Sequence, residues 1–241
     1  MIQVEEVLTI GPEASAQANV VYSTAPRQAE CHGGTYFIKG PDLDMVFAEV
    51  VGCELARLAG LLVPEVAICV TGEERYAGSK MLQNCIRDVS PWLRRNSDPE
   101  YIQDSLRAVV VDVWLCNTDR NLGNILVSPS GQERHKFYFI DFEKSVVLRS
   151  PHSFIESAMK PDRELWPSGD LGTILRQHKG LIPPLDVIQR IHHFTNAEIT
   201  SIVNDASLKL GGIHWAENSA AAIVHRASKI EELANRVWEL S

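Results

Sequence analysis

The 241-residue chain is 45% hydrophobic, enough for one large domain or two small lobes around a sizeable core, and no apolar run approaches the length of a membrane span. Its formal net charge of -8 makes it a poor candidate for extensive direct binding to nucleic-acid phosphates. Five scattered cysteines, at 31, 53, 69, 85 and 116, contain no Cys-x-x-Cys pair, which argues against a disulfide framework or a zinc site and for a reducing cytoplasm; the mixed, charged opening does not read as a secretory signal.

Residues 4–10, 19–24 and 35–39 alternate as strands do. Residues 11–18 connect the first two and carry one glycine, Gly11, with Ser15 and Gln17 as polar side chains. Lys39 ends the third strand, either as a solvated strand-end lysine or as a point charge for phosphate. Gly40-Pro41-Asp42 breaks that strand, and Asp44 reads as the N-cap of a helix. The helix has an apolar stripe of Phe47, Val51, Leu55, Leu58 and Leu62. Glu49 lies off the stripe, and Glu54 is a second acidic residue on the same helix. Residues 64–70 and 79–83 read as two more strands about the polar turn 71–74. Residues 91–99 are polar, a helix start or a loop. Residues 101–116 form a helix that is apolar nearly all round from 109 to 115, so it is expected at the centre of the core, with Trp114 packed inside.

A polar knot, Asn-Thr-Asp-Arg-Asn-Leu-Gly-Asn over 117–124, follows at once. The apolar runs 125–127 and 137–140 flank a turn with Pro129 and Gly131 and read as a hairpin, closed by Asp141. Its open end would set Asn124 and Asp141 side by side. A solvent loop rich in Asn and Asp is the ordinary alternative for the knot alone. The hairpin and Asp141 weigh against it. Phosphoryl transfer from a nucleotide needs a carboxylate to orient the attacking hydroxyl, and oxygen ligands for a magnesium ion that bridges the phosphates. Asp119 suits the first need, Asn124 and Asp141 the second. Residues 145–180, with Pro151, Pro161 and Pro167, read as irregular. His152, Lys160 and Arg163 are candidates to touch a substrate there, and Trp166 is better suited to packing. Leu185, Ile188 and Ile191 mark one helix; Ile199, Ile202, Val203, Ala206 and Leu210 a second; Ile223, Ala227, Ile230, Ala234 and Val237 a long last one. His192, His193, His214 and His225 show no metal-ligand spacing.

Asp119 and Asn124 have the Asp-x-x-x-x-Asn spacing of protein kinases, and Asp141-Phe142 follows as a later Asp-Phe pair. Glu143 stands where the common triplet has Gly, and Asn117-Thr118 where His-Arg is usual. Asp119-Arg120 with Asn124, then Ile140-Asp141-Phe142, resembles the catalytic segments of the HipA-like kinases and the phosphatidylinositol kinases, the HipA-like kinases most closely and over most of the chain. The resemblance implies an α+β, two-lobed, protein-kinase-like fold: a small β-rich lobe over 1–83, a mostly helical lobe over 84–241, and ATP with Mg2+ in the cleft between them. It implies that residues 11–18 cover the phosphates, with Ser15 and Gln17 as donors and Ser15 as a candidate for autophosphorylation. Lys39 would grip the phosphates, paired with Glu49 in preference to Glu54. Leu82, Gln83 and Asn84 would offer backbone to the adenine edge, and Arg120 would support the catalytic loop. The implied reaction moves the gamma-phosphate of ATP to a hydroxyl, here a Ser or Thr of a protein. A small-molecule or lipid kinase on the same fold is the first alternative. A catalytically silent binding module is the second, disfavoured by five intact polar residues and favoured by the thin phosphate loop. A third reading, a toxin-type kinase held by an antitoxin-like partner, follows from the resemblance alone.

Overall fold

A computed structural model describes residues 1–13, 26–87, 89–94, 99–128, 135–148, 165–178 and 182–241. The strand read over 19–24, the candidates Ser15, Gln17, His152, Lys160 and Arg163, and the turn at Pro129 and Gly131 lie outside the described residues. The alternating patterns near the start of the chain close into a barrel of β1 (Gln3–Glu13), β2 (Arg27–Cys31), β3 (Gly34–Lys39), β4 (Val66–Thr71) and β5 (Glu74–Lys80), in the order β1-β2-β3-β5-β4. Neighbours are antiparallel except β1 and β4, which pair in parallel from Gln3 opposite Ala67 to Glu6 opposite Val70 and close the ring. Ala29, Cys31, Tyr36, Ile38, Ala67, Cys69 and Tyr76 pack together as a core of their own. The strand expected at 79–83 begins instead at Glu74, because Gly72, with φ +58, allows a reversal tighter than the polar run suggested.

Helix α1 (Leu43–Leu58) is capped by Asp42, two residues earlier than the expected Asp44. The Asp42 carboxylate accepts the N–H groups of Asp44 (2.9 Å) and Met45 (3.1 Å), and Asp44 falls in the first turn, where the helix dipole favours an acid. From Met45 to Ala56 the helix is buried on every side. It lies between the barrel strands β4 and β5 and the helices that follow, so it belongs to the larger of the two cores. Leu62, read as part of its stripe, lies beyond the helix end and is exposed. Gly52 is there for contact: a Cβ on it would lie 2.5 Å from the Cβ of Phe142. Gly52→Ala is therefore expected to destabilise the protein by about 1–3 kcal/mol through overpacking, despite alanine's better helix propensity, as read from urea unfolding.

Helix α2 (Ser90–Arg94) is short, and α3 (Pro99–Leu115) runs through the large core, wholly buried from Ala108 to Leu115. Trp114 is packed inside and donates its indole N–H to the Ile223 carbonyl at 3.1 Å. The two apolar runs form the hairpin β6 (Ile125–Ser128) and β7 (Lys136–Phe139), with Ile125 opposite Phe139. Ile86 bridges to Val127 and extends this small sheet by one residue pair. Helices α4 (Gly169–Arg176), α5 (Leu185–His192), α6 (Asn196–Lys209), α7 (Ala216–Ser228) and α8 (Ile230–Leu240) complete the described chain. The one long last helix of the apolar pattern is thus two, divided at Lys229 (φ -116, ψ 8). Arg226 of α7 is fully buried and donates to the carbonyls of Trp114 (2.8 Å) and Val113, the last turn of α3. A cation there meets orphan carbonyls at the negative end of the helix. The start of β1 is tied to α6: the Ile2 N–H donates to Asp205 at 2.7 Å, and Lys209 donates to the Ile2 carbonyl. The N-terminal part is thus β-rich and the C-terminal part helical; among the described residues no helix is long and apolar enough to cross a membrane.

Candidate functional site

The site is built at the C-terminal end of α3. Cys116, with φ +53, turns the chain out of the helix, and the Asn117 N–H returns to the Asp112 carbonyl at 2.9 Å. Asp112, a lone acid inside an apolar helix, is completely buried and takes three hydrogen bonds. One comes from the Asn117 side chain (2.8 Å), and two from Arg120, through Nε (2.8 Å) and Nη2 (3.0 Å). The remaining Nη1 of Arg120 donates to the carbonyls of Asn124 (3.1 Å) and Ile140 (2.8 Å). Its guanidinium lies 4.9 Å from the centre of the Phe142 ring and 5.8 Å from that of Phe139. Arg120 therefore faces the protein interior and fastens helix α3, the knot and the end of β7 to one another. It is a positioning residue in this geometry.

The knot is folded by its own amides. The Asp119 carbonyl accepts from Asn124 Nδ2 (2.6 Å) and Asn121 Nδ2 (3.0 Å), and Asn121 Oδ1 accepts the Gly123 N–H (2.8 Å). With Nδ2 engaged, Oδ1 is the acceptor end of Asn124. The Ile140 N–H donates to the Asn124 carbonyl at 3.0 Å, which brings Asp141 beside Asn124 across the open end of the hairpin. Asp141 adopts φ +70, a conformation Asp tolerates better than most side chains. Partial burial, and next the charge of Asp141, push the Asp119 carboxyl above its ordinary range.

From the barrel, Lys39 reaches the same place. Its Nζ lies 2.9 Å from Asp141 Oδ1 and 3.3 Å from Glu143 Oε2. Burial opposes the ammonium charge, but Glu49, Asp141 and Glu143 outweigh it and hold the lysine protonated beyond its ordinary range. The expected direct ion pair between Lys39 and Glu49 does not form. Glu49 is buried and instead accepts the Phe142 N–H at 2.6 Å and the Cys53 thiol at 3.7 Å, acting on Lys39 through its charge. The rival Glu54 pairs with Arg57. Burial pushes the Glu49 carboxyl up, and Lys39 pulls it back only in part. Leu82, Gln83 and Asn84 follow β5 on the way from the barrel to Ile86 and the hairpin, with Asn84 at φ +59. Gln83 and Asn84 form a turn there. Two contributors escaped the sequence reading. Asp112 is signalled only by an acid amid apolar neighbours. Glu143 is signalled by standing where the kinase triplet has Gly.

Among the described residues no group of three His, Cys, Asp or Glu side chains could hold a metal ion by itself. The pair of Asp141 carboxylate and Asn124 amide fits the habit of Mg2+, which takes one or two protein oxygens and fills its octahedron with water and phosphate. Asp141 Oδ1 fits as well, since it is buried and has the Lys39 contact but no hydrogen bond of good angle.

No protein-family model matches the sequence, and no curated protein matches it. Among solved structures, the chain is similar to one described as the crystal structure of a Helicobacter pylori proinflammatory kinase, CtkA. The two are 13% identical with a TM-score of 0.64, over 100% of this chain and 99% of that one. At that identity the likeness shows a shared fold: this chain has the fold of that kinase.

Proposed function

We propose that the chain is an ATP- and Mg2+-dependent kinase of the HipA-like kind, passing the gamma-phosphate to a hydroxyl of a protein Ser or Thr. The observation that carries this reading is the meeting of Lys39, Asp119, Asn124 and Asp141, drawn from a barrel strand, a post-helix loop and the mouth of a hairpin. In this reading residues 1–83 form a lobe over the nucleotide and 84–241 a helical catalytic lobe. Lys39 grips the alpha and beta phosphates. Asp119 orients the acceptor hydroxyl and takes its proton. Asn124 Oδ1 and the Asp141 carboxylate hold the metal, which when bound neutralises charge on the phosphates. Arg120 and Asp112 hold the knot in register. The backbone of Leu82, Gln83 and Asn84 would meet the adenine edge, and Ser15 and Gln17 stand in the segment assigned to cover the phosphates. Phosphate incorporation from labelled ATP with Mg2+, with sites mapped by mass spectrometry, tests the reading. Label on the protein supports it, and label at Ser15 adds autophosphorylation. Neither label nor thermal stabilisation by ATP and Mg2+ would leave a silent binding module. Stabilisation without label would leave a kinase that needs its own acceptor, a protein or small molecule; an antitoxin-like partner would be one that holds such a kinase in check.

A further inference from the structure

Two carboxylates share the Lys39 ammonium, and only one of them is needed elsewhere. Asp141 is the group assigned to the metal. Glu143 has no task in the reading above, yet its carboxylate is buried, with Oε2 3.3 Å from Lys39 Nζ and Oε1 4.0 Å from Lys144 Nζ. A buried carboxylate is retained at this depth when it is paired, so the contact is a constraint on both partners. The backbone explains how it gets there. Asp141 turns through φ +70, and the Ser145 N–H closes back on the Phe142 carbonyl at 3.0 Å, which folds Glu143 under Lys39. A glycine at this place offers no side chain. Glu49, the residue expected on sequence grounds to hold the lysine, is engaged with the Phe142 N–H at 2.6 Å.

We infer that Glu143 is the positioning residue for Lys39, the carboxylate that keeps the ammonium aimed at the phosphates while Asp141 serves the metal. The inference rests on the nucleotide reading proposed above. It divides the work of one acid between two: Glu49 holds the backbone of Phe142, and Glu143 holds the lysine. Glu143→Gln keeps the shape and a hydrogen-bond acceptor but removes the charge.

Lys39 touches phosphate and not the base, so the telling quantity is the ratio of affinities for ADP and adenosine, measured by calorimetry with Mg2+. Glu143→Gln is expected to lower that ratio about tenfold through ADP alone, with adenosine affinity unchanged. Glu49→Gln is expected to lower the melting temperature and to alter the ratio less. In a Lys39→Met background the further change Glu143→Gln is expected to leave the ratio where it stands. If Glu143→Gln does not fold, Glu143→Asp keeps the charge and draws it back, and a partial fall in the ratio is expected. A ratio unchanged in Glu143→Gln, or in Glu143→Asp where that variant is used, overturns the inference and leaves the nucleotide reading in place, as does a larger fall in Glu49→Gln. A wild-type protein that binds ADP no better than adenosine overturns both.

Discussion

Asp119→Asn lowers phosphate transfer by about 10²–10⁴-fold while the protein stays folded. The loop around Asp119 is shaped by its carbonyl, which accepts from Asn121 and Asn124, so an isosteric amide leaves that geometry in place. Among the described residues no hydrogen bond engages the carboxylate itself, which leaves it to face an acceptor hydroxyl. Burial and then Asp141 raise its pKa in the folded protein. The folded state therefore binds the proton more readily than the unfolded chain does, and stability falls as pH rises between the unfolded and folded values. A neutral Asn escapes that penalty, so at neutral pH the variant is expected to unfold at the same urea concentration as the wild type or slightly higher. Transfer measured in a single turnover, beside urea unfolding, separates the two effects. Undiminished transfer would remove Asp119 from the role of orienting the acceptor. Lost transfer together with a lost fold would show the residue to be structural.

Asp112→Ala carries the largest expected cost in stability, about 3–5 kcal/mol, because it strands a buried guanidinium. Arg120 and Asp112 are both out of reach of water, and the only anion within bonding distance of Arg120 among the described residues is Asp112. Removing the acid also frees the Asn117 side chain, while the Asn117 N–H keeps its bond to the backbone carbonyl of residue 112. The knot would loosen at its first residue and at Arg120 together. The double change Asp112→Leu/Arg120→Met is expected to cost less than Asp112→Ala alone, since it removes both charges. Denaturant midpoints for the three proteins at pH 7 check this. A loss below about 1 kcal/mol for Asp112→Ala would mean that the arginine finds water or a new acceptor.

The parts of the fold that could be read from the sequence are those in which one physical demand dominates. The burial of α3 shows as an apolar run interrupted only by Asp112, and the hairpin as two short apolar runs about a turn. Its register then brings Asn124 and Asp141 together without further information. Strand β2 was missed because Arg-Gln-Ala-Glu-Cys has neither β-branched nor aromatic residues; it is a strand because β1 and β3 supply partners on both sides. The last two helices were joined because their apolar repeat continues through Lys229, where only the backbone dihedrals change. In the site, Lys39 and Asp141 were legible through the kinase resemblance, but the partner of Lys39 was not. Spacing along α1 allows Glu49 to approach, whereas the Phe142 N–H, which claims it, lies 93 residues away in the chain. Asp112 and Glu143 likewise act only through neighbours that the fold brings to them.

The clamp on the first strand has a consequence for the order in which the protein is made. Ile2 is held by Asp205, 203 residues later, and by Lys209, while β1 closes the barrel by a parallel pairing that no tight turn can deliver. During synthesis the antiparallel pairs β2–β3 and β4–β5 can form as soon as their turns leave the ribosome. The leading edge of β1 must wait until α6 has emerged. Ile2 is thus secured only after 203 later residues have emerged, and until then the nascent barrel carries an unfastened rim at β1, a long-range closure of the kind that slows folding.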